Sequence, residues 1–457
     1  MRTTLVFREA VWQELLDALD DERETGGFLV AGIARGADEL TFLARELRLV
    51  PDEHYLRRTK NRLSIASPAI ASSLAAAAND KAAAVFLHTH PKGRAEPSSH
   101  DKKVDRVLRL SALTRTSQPY YVSLIVGGTK RRPRFSGRIY DKAGAVASLG
   151  RIRVVGDRLQ ILTSDDGAAR TINSAVFDRQ VRAFGHDAQK VLAELKVGVV
   201  GAGGTGSAVV ELLIRLGVGE IVVVDDDRVS DSNLARIHEA GSAEVDELKV
   251  DVLRNAAERI GLGTTLTPIA AKVSDKSVAR RLKHCDVIFG CTDDHSGRLM
   301  ISKLAIWYLI PVIDVGFMIK TTPTNRVHGL YGRATTVVPG AACLVCRDYS
   351  TPGGLAEEAL PPEERARRAQ QGYAEGLGDP DPSVGAFTTM VATFAISEML
   401  DRLVDYSSRQ TRPSELVLRL HDRKLSTNSN PPKAGHWCNR AANWGCGDTT
   451  SFLGTAV

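Results

Sequence analysis

Cysteine is scarce in this chain, with six in 457 residues. So thin a scatter is no disulfide framework, and it makes a reducing cytoplasm the expected compartment. No apolar run reaches the ~18 residues that a membrane-spanning helix needs. The opening residues, Met1 to Arg8, lack the long apolar stretch of a secretory leader. Runs of like charge are also missing. Sixty lysines and arginines face 54 aspartates and glutamates, a net charge of +6. That balance permits an acidic partner and gives no argument for nucleic acid. No internal repeat is present. The remaining composition, 43% hydrophobic and 25% charged, is that of an ordinary globular protein. At roughly 150 residues per domain the length allows two or three cores.

Periodicity divides the chain. Residues 8–21 read as an amphipathic helix, Phe28 to Ile33 and Leu40 to Val50 as strands, and Pro68 to Ala78 as an alanine-rich helix. Ala83 to His88 reads as a buried strand and Ser98 to Leu113 as a capped helix, with further strands at 120–127 and 134–140. Together they predict an α+β domain over 1–150. Residues 151–172 read as a linker or a short strand pair. From there strands at 196–201, 220–225, 285–290 and 311–316 alternate with helices at 205–217, 248–260 and 296–308. That alternation predicts a doubly wound, parallel α/β sheet over 173–427. Residues 347–383, rich in Pro, Gly, Glu, Arg and Ala, read as a mobile loop. Ala386 to Leu403 reads as a helix, Glu415 to His421 as a strand, and 428–457 as a tail.

Residues 88–101 run His-Thr-His-Pro-Lys-Gly-Arg-Ala-Glu-Pro-Ser-Ser-His-Asp. Residues two apart in a strand share a face, so His88 and His90 can hold one metal, and Asp101 can close the set from the next helix. Two imidazoles and a carboxylate leave a fourth position for water, as in a catalytic zinc site. Glu24 is the candidate base for that water, and Ser98 a candidate for stabilising the oxyanion. The plainer alternative is a pair of surface histidines in a proline turn. The pattern His-x-His-Pro-x6-Ser-x2-Asp with an upstream Glu-x2-Gly-Phe-Leu resembles the JAB/JAMM (MPN-type) zinc metalloproteases. These cleave after the carboxyl terminus of ubiquitin or ubiquitin-like proteins. The resemblance covers about 1–145 and implies zinc on His88, His90 and Asp101, with Glu24 as base and Ser98 steadying the transition state.

Gly201-Ala-Gly203-Gly204-Thr-Gly206 lies between a strand and a helix, where glycines let backbone approach phosphate. Asp225 ends the next strand, where a carboxylate holds a ribose hydroxyl. By itself this turn would equally suit a nicotinamide or flavin enzyme. The continuation, Asp225-Asp-Asp227-Arg-Val-Ser-Asp-Ser-Asn233-Leu-Ala-Arg236, resembles the ThiF/MoeB family of ubiquitin-like-protein-activating enzymes. So do Cys291-Thr-Asp293, with Asp294 where the family has Asn, Phe177-Asp-Arg179-Gln180, and Pro382-Ser-Val-Gly385 leading into a helix. The resemblance covers about 173–425 and implies an adenylating enzyme that uses ATP and Mg²⁺. Arg236 and Lys249 would clamp the phosphates, Asn233 orient them and Asp293 help hold Mg²⁺. Arg179 would be supplied by the second subunit of a homodimer. The competing reading of Asp293 and Asp294 is a polar cap on the following helix.

Cys343-x2-Cys346 has zinc-knuckle spacing. By the family resemblance Cys438 and Cys446 would complete a structural zinc site, although seven residues separate them. Residues 347–437 contain no cysteine, so the expected product is an acyl-adenylate handed to a thiol on another protein. The alternative is a thioester on Cys438 or Cys446. Cys285 reads as core and Cys291 as packed beside the nucleotide. The two resemblances jointly imply a fused enzyme of a bacterial ubiquitin-like pathway, similar to ubiquitination-like and antiphage systems. Its expected partners are a ubiquitin-like protein ending in glycine and a conjugating or sulfur-transfer enzyme. Sulfur-carrier chemistry, a catalytically quiet scaffold and a dinucleotide oxidoreductase are the alternatives, in that order.

Overall fold

A computed structural model describes residues 1–164, 175–324, 326–361, 363–365, 367, 382–409 and 411–454. The chain forms two compact units. One takes Met1–Ala168, Trp307–Leu309 and Ala441–Val457, and the other takes Ala169–Ile306 and Ile310–Arg440. Part of the expected linker (165–172) and most of the end of the expected loop (368–381) lie outside the described residues. No helix among the described residues is long and apolar enough to cross a membrane.

The first unit begins with β1 (Arg2–Arg8), α1 (Glu9–Leu19), β2 (Gly26–Arg35), β3 (Glu39–Leu49), β4 (Tyr55–Thr59) and β5 (Arg62–Ile65). It continues with α2 (Ser67–Asn79), β6 (Ala83–Pro91), α3 (Ser99–Thr116), β7 (Tyr121–Thr129) and β8 (Arg132–Tyr140). β9 (Ala145–Ser148), β10 (Arg151–Val155) and β11 (Leu159–Thr163) follow. Nine strands make one mixed sheet in the order β11-β10-β1-β3-β2-β6-β7-β8-β9, and β4–β5 is a separate hairpin. Residues 151–163, read above as linker or strand pair, thus hold β10, which pairs with β1, and β11, which pairs with β10. Apolar side chains leave both sheet faces. On one, Trp12, Leu15, Leu16 and Leu19 of α1 meet Leu5, Phe7, Leu29 and Phe42. On the other, Leu74, Leu108 and Leu113 of α2 and α3 meet Phe28, Val30 and Phe86. Each such side chain contributes ~1.5–3 kcal/mol on burial, so helices cover both faces.

The last residues of the sequence complete this unit. Gly447 bridges to Ile33 in parallel, and the Asp448 amide donates to the Ile33 carbonyl at 2.6 Å. Asp448 accepts from the Arg35 amide (2.8 Å) and from the Tyr308 hydroxyl (2.7 Å). Arg45 donates to the Ala442 carbonyl at 3.2 Å, and the Arg8 guanidinium lies 4.8 Å over the Trp444 ring. The segment sits so close that a Cβ on Gly32 would lie 2.0 Å from the Gly445 carbonyl oxygen.

The second unit runs α4 (Asp178–Glu194), β12 (Lys196–Val200), α5 (Gly204–Arg215), β13 (Glu220–Val224), α6 (Lys249–Ile260) and β14 (Thr265–Ile269). Then come α7 (Lys276–Leu282), β15 (Val287–Gly290), α8 (His295–Trp307), β16 (Val312–Thr321) and β17 (Val327–Val337). α9 (Pro352–Glu358), α10 (Gly385–Val404), β18 (Glu415–Arg419) and β19 (Lys424–Asn428) follow. The sheet order is β14-β13-β12-β15-β16-β17-β18-β19. Strands β14 to β16 are parallel, as the alternation predicts, and β17 to β19 extend the sheet antiparallel. The chain leaves β12 toward β13 on one side and returns as β15 on the other. Such a switch point opens a crevice at the carboxyl ends of the strands.

Candidate active sites and a candidate metal centre

In the first unit β2 and β6 are antiparallel, with Gly26 opposite His88. The pairing extends outward, since the Thr89 amide donates to the Thr25 carbonyl and the Thr25 amide to Thr89 Oγ1, both at 2.9 Å. Glu24 is thereby carried to His90. The two histidine rings share a face, with their Nε2 atoms 3.1 Å apart. His88 is buried and stacked on Phe86. His90 Nδ1 lies 2.9 Å from the Arg94 carbonyl. A carbonyl only accepts, so Nδ1 carries the proton and Nε2 keeps its lone pair for the cluster.

Asp101 arrives on the first turn of α3, held by a capping box. Ser98 Oγ accepts from the Asp101 amide (3.2 Å), and Asp101 Oδ2 accepts from the Ser98 amide (2.7 Å). Its oxygens lie 3.5 Å from His88 Nε2 and 3.9 Å from His90 Nε2. One ligand atom from each of His88, His90 and Asp101 falls within 4.8 Å of the others. This donor set and its convergence fit zinc with an open coordination position. Ser98 Oγ caps the helix through a lone pair, and its hydroxyl also bonds the Asp101 carboxylate.

Glu24 Oε1 stands 3.8 Å from His90 Nε2. Burial pushes its carboxyl up to about 7, against the opposing charge of His88 and with a further push from Asp101. Burial alone would also raise Asp101, but hydrogen bonding and charge from His88 and the bonds from Ser98 hold it well below the usual carboxylate range. Two neighbouring carboxyls driven apart by their surroundings are suited to different roles, one to exchange a proton and one to stay ionised.

In the second unit the glycine-rich turn joins β12 to α5. Gly201 has φ +95°, and a Cβ there would lie 2.5 Å from the Cys291 carbonyl oxygen. At Gly206 a Cβ would lie 1.8 Å from the Gly201 oxygen. The turn therefore packs backbone on backbone and leads into the N-terminus of α5. Asp225 accepts from the amides of Ala202 (2.6 Å) and Asp227 (2.9 Å). Burial raises its carboxyl, opposed by the Ala202 amide and Lys249. Lys249, at the start of α6, reaches Asp227 Oδ2 at 2.6 Å. Asn233 is buried at the end of a short 3₁₀ turn, and Arg236 bonds the Ser232 carbonyl at 3.2 Å. The Arg236 carbonyl lies 3.1 Å from a Cβ built on Gly204, and the Ala235 carbonyl 2.7 Å from one built on Gly385. The loop thus lies against both the glycine turn and the start of α10.

Asp293 and Asp294 separate into two roles. Asp294 accepts from the Gly297 amide (2.7 Å) and Ser296 Oγ (2.8 Å), and so caps α8. Asp293 is exposed. Arg179 is exposed on the first turn of α4, and its neighbour Gln180 bonds the Arg215 carbonyl at 2.8 Å.

Cys343, Cys346 and Cys438 do converge, but the fourth member is His436, and Cys446 is not part of the cluster. This corrects the expected four-cysteine set. His436 Nδ1 lies 3.7, 3.3 and 3.1 Å from the sulfurs of Cys343, Cys346 and Cys438. Cys446 is buried in the first unit and its thiol donates to the Ala442 carbonyl at 2.9 Å. Hydrogen bonding from Cys343, against burial, and then from His436 draws the Cys438 thiol well below its ordinary value. Three sulfurs and one imidazole nitrogen fit a closed tetrahedral zinc site. The other cysteines are inert by position: Cys285 is buried, and burial pushes Cys291 far up.

Three residues with evident roles escaped the sequence reading. His238 donates its amide to Ser207 Oγ (3.0 Å) and places its ring nitrogens 2.7 Å from Glu211 and 2.8 Å from Thr389. It thereby pins the Arg236 loop to α5 and α10. Glu358 accepts from the amides of His295 (2.5 Å) and Ser296 (2.9 Å) at the start of α8. His436 is the third. Of these, His436 had a readable signal, since it stands two residues from Cys438.

Residues 177–436 match the family model described as the ThiF family. The chain belongs to the ThiF family. Residues 8–139 match the model for prokaryotic homologues of the JAB domain. The ThiF match covers most of the second unit, and the JAB match lies within the first. A molybdopterin-synthase adenylyltransferase of Salmonella typhimurium is 33% identical over 140 residues, covering 30% of this chain and 56% of the relative. A SAMP-activating enzyme E1 of Haloferax volcanii is 29% identical over 162 residues, covering 35% and 56%. A sulfur carrier protein ThiS adenylyltransferase of Bacillus subtilis is 28% identical over 166 residues, covering 36% and 46%. The chain thus spans about half the length of these curated relatives.

Proposed function

We propose that the ThiF unit adenylates the C-terminal glycine of a small ubiquitin-like or sulfur-carrier protein. The observation that carries this reading is the meeting of the glycine turn, Asp225, Lys249 and the Asn233–Arg236 loop at the switch point between β12 and β15. A carboxylate oxygen of the glycine attacks the α-phosphorus of ATP, the bond to the bridging oxygen breaks, and pyrophosphate leaves. Arg236 and Lys249 meet the charge that builds on the phosphates, and the N-terminus of α5 favours the same anion. Mg²⁺, when bound near Asp293, supplies further charge neutralisation. None of the six cysteines is exposed, which supports transfer of the adenylate to a thiol on another protein. It counts against a thioester on Cys438, a member of the metal cluster, or on buried Cys446. Arg179 is assigned to the partner's site in a homodimer. Mixing R179A and K249A proteins, each inactive alone, then restores partial activity.

The JAB unit is proposed to be a zinc peptidase that trims or removes the same tag. Zinc, when bound, lowers the pKa of a coordinated water toward ~7. Glu24 is placed to take a proton at its carboxylate and return it to the leaving amine. His88, His90 and Asp101 hold the ion, and the Ser98 hydroxyl donates to the oxyanion. The testing experiment is ATP–pyrophosphate exchange with a panel of small proteins ending in glycine. Exchange that requires the terminal glycine supports adenylation, and no exchange with any of them counts against it. The Bacillus relative, an adenylyltransferase of a sulfur carrier protein, favours a second use of the same chemistry, sulfur transfer. Mass spectrometry of the activated partner separates the two, since a thiocarboxylate marks sulfur transfer and an isopeptide marks tagging.

A further inference from the structure

The hairpin β4–β5 is tied to the segment that carries Glu24 into β2. The Glu24 amide donates to the Thr59 carbonyl (2.9 Å), and the Gly26 amide to the Tyr55 hydroxyl (3.0 Å). Arg58 donates to the Glu24 carbonyl (3.1 Å) and to Thr25 Oγ1 (2.7 Å), and pairs with Asp21 (2.8 Å) and Asp52 (2.5 Å). Leu63 and Ile65 press onto Gly26, where a Cβ would lie 2.8 Å from both side chains. A hairpin held at so many points presents its tip in one place. That tip is Lys60-Asn61-Arg62, and it lines the cavity of about 260 Å³ that also holds Glu24, His90, Ser98 and Asp101. Lys92 lines it from the end of β6.

Lys60 and Arg62 have no ion-pair partner among the described residues. Lys92 has Glu22 at 3.7 Å, with both side chains largely in solvent, a contact worth little. The cavity's own carboxylates, Glu24 and Asp101, face the histidines. Three cations therefore rim a concave site, and low-dielectric walls focus such a field outward onto an approaching ligand.

We propose that this rim selects peptide substrates that carry carboxylate side chains beside the scissile bond. The proposal rests on the peptidase reading of the JAB unit and adds its substrate class. Lys60 and Arg62 pair with acidic side chains as the peptide enters, and Lys92 adds a third cation to the same cavity. Opposite charge speeds encounter, like charge repels wrong partners, and both effects weaken with salt.

The test uses the zinc-loaded full chain and three labelled short peptides that differ only in flanking residues: acidic, neutral or basic. Fluorescence anisotropy reads binding, and quenched versions of the same peptides read cleavage. The acidic peptide binds about tenfold more tightly than the neutral one at low salt, and the margin shrinks as salt rises. The K60Q/R62Q protein loses most of the margin, and K60E/R62E reverses the order. Equal affinity for acidic and neutral peptides, or an unchanged order in K60E/R62E, overturns the proposal. Cleavage is scored separately: if none of the three is cut, the peptidase reading suffers, while the order of binding still decides the rim.

Discussion

Glu24 and Asp101 belong to the same chemical class and face the same two histidines, yet their surroundings drive them in opposite directions. Glu24 has burial and a nearby carboxylate, while Asp101 has two bonds to Ser98 and the His88 imidazole. Glu24→Gln keeps the shape and removes the base, so peptide cleavage should fall by ~10²–10⁴-fold. Zinc content by elemental analysis should stay unchanged, and a loss of metal would mean Glu24 is a ligand instead. The spacing His-x-His-Pro-x6-Ser-x2-Asp made the members of this site legible, because strand alternation and one helical turn suffice to assemble them. The cysteine site was less legible. With so few thiols, Cys446 was the natural fourth member, but distance along a sequence does not reveal which unit a residue joins. His436→Ala should lower zinc stoichiometry and the melting temperature of the second unit, whereas Cys446→Ser should leave zinc unchanged.

At the scale of elements, α3 shows how a local rule serves a site. Ser98 and Asp101 close the helix N-terminus reciprocally, and the same geometry fixes Asp101 against the histidines. Ser98→Ala should cost ~1 kcal/mol in stability through the lost cap. It should also weaken zinc binding by ~10–100-fold, as expected for a support of a metal ligand. Ser98→Thr, which keeps a capping hydroxyl, should restore most of both, the zinc affinity read in a chelator titration. If zinc affinity is indifferent to the cap, the carboxylate is held by the histidines alone. The long apolar strands were readable from composition, and the elements that were missed have physical reasons. β14 contains Pro268, tolerable because the strand lies at the sheet edge with only β13 beside it. The β4–β5 hairpin is arginine-rich and largely exposed, so it carries no apolar alternation. Its stability comes from Arg58 and from Gly26, which lie outside any periodic pattern.

At the scale of the molecule, the two units were readable as a change from mixed to alternating pattern, but the membership of residues 441–454 was not. Their pairing to Ile33 spans most of the chain, beyond any local signal. Gly32→Val places side-chain atoms against the Gly445 backbone, which cannot yield. It should destabilise the first unit by ~1–3 kcal/mol, read as an earlier first transition in a thermal melt. Ending the chain after Arg440 should do the same more severely, while ATP–pyrophosphate exchange by the second unit persists. If the first unit melts unchanged without that segment, its packing there is incidental.

That long-range pairing also has a consequence in time. Synthesis runs from the N-terminus at ~5–20 residues per second, so β2 emerges from the ribosome well before its covering segment does. For tens of seconds, on the order set by that rate, Gly32 and Ile33 have no tail to meet, while the ThiF unit is made in full. The unit whose synthesis begins before that of the ThiF unit is therefore completed after it.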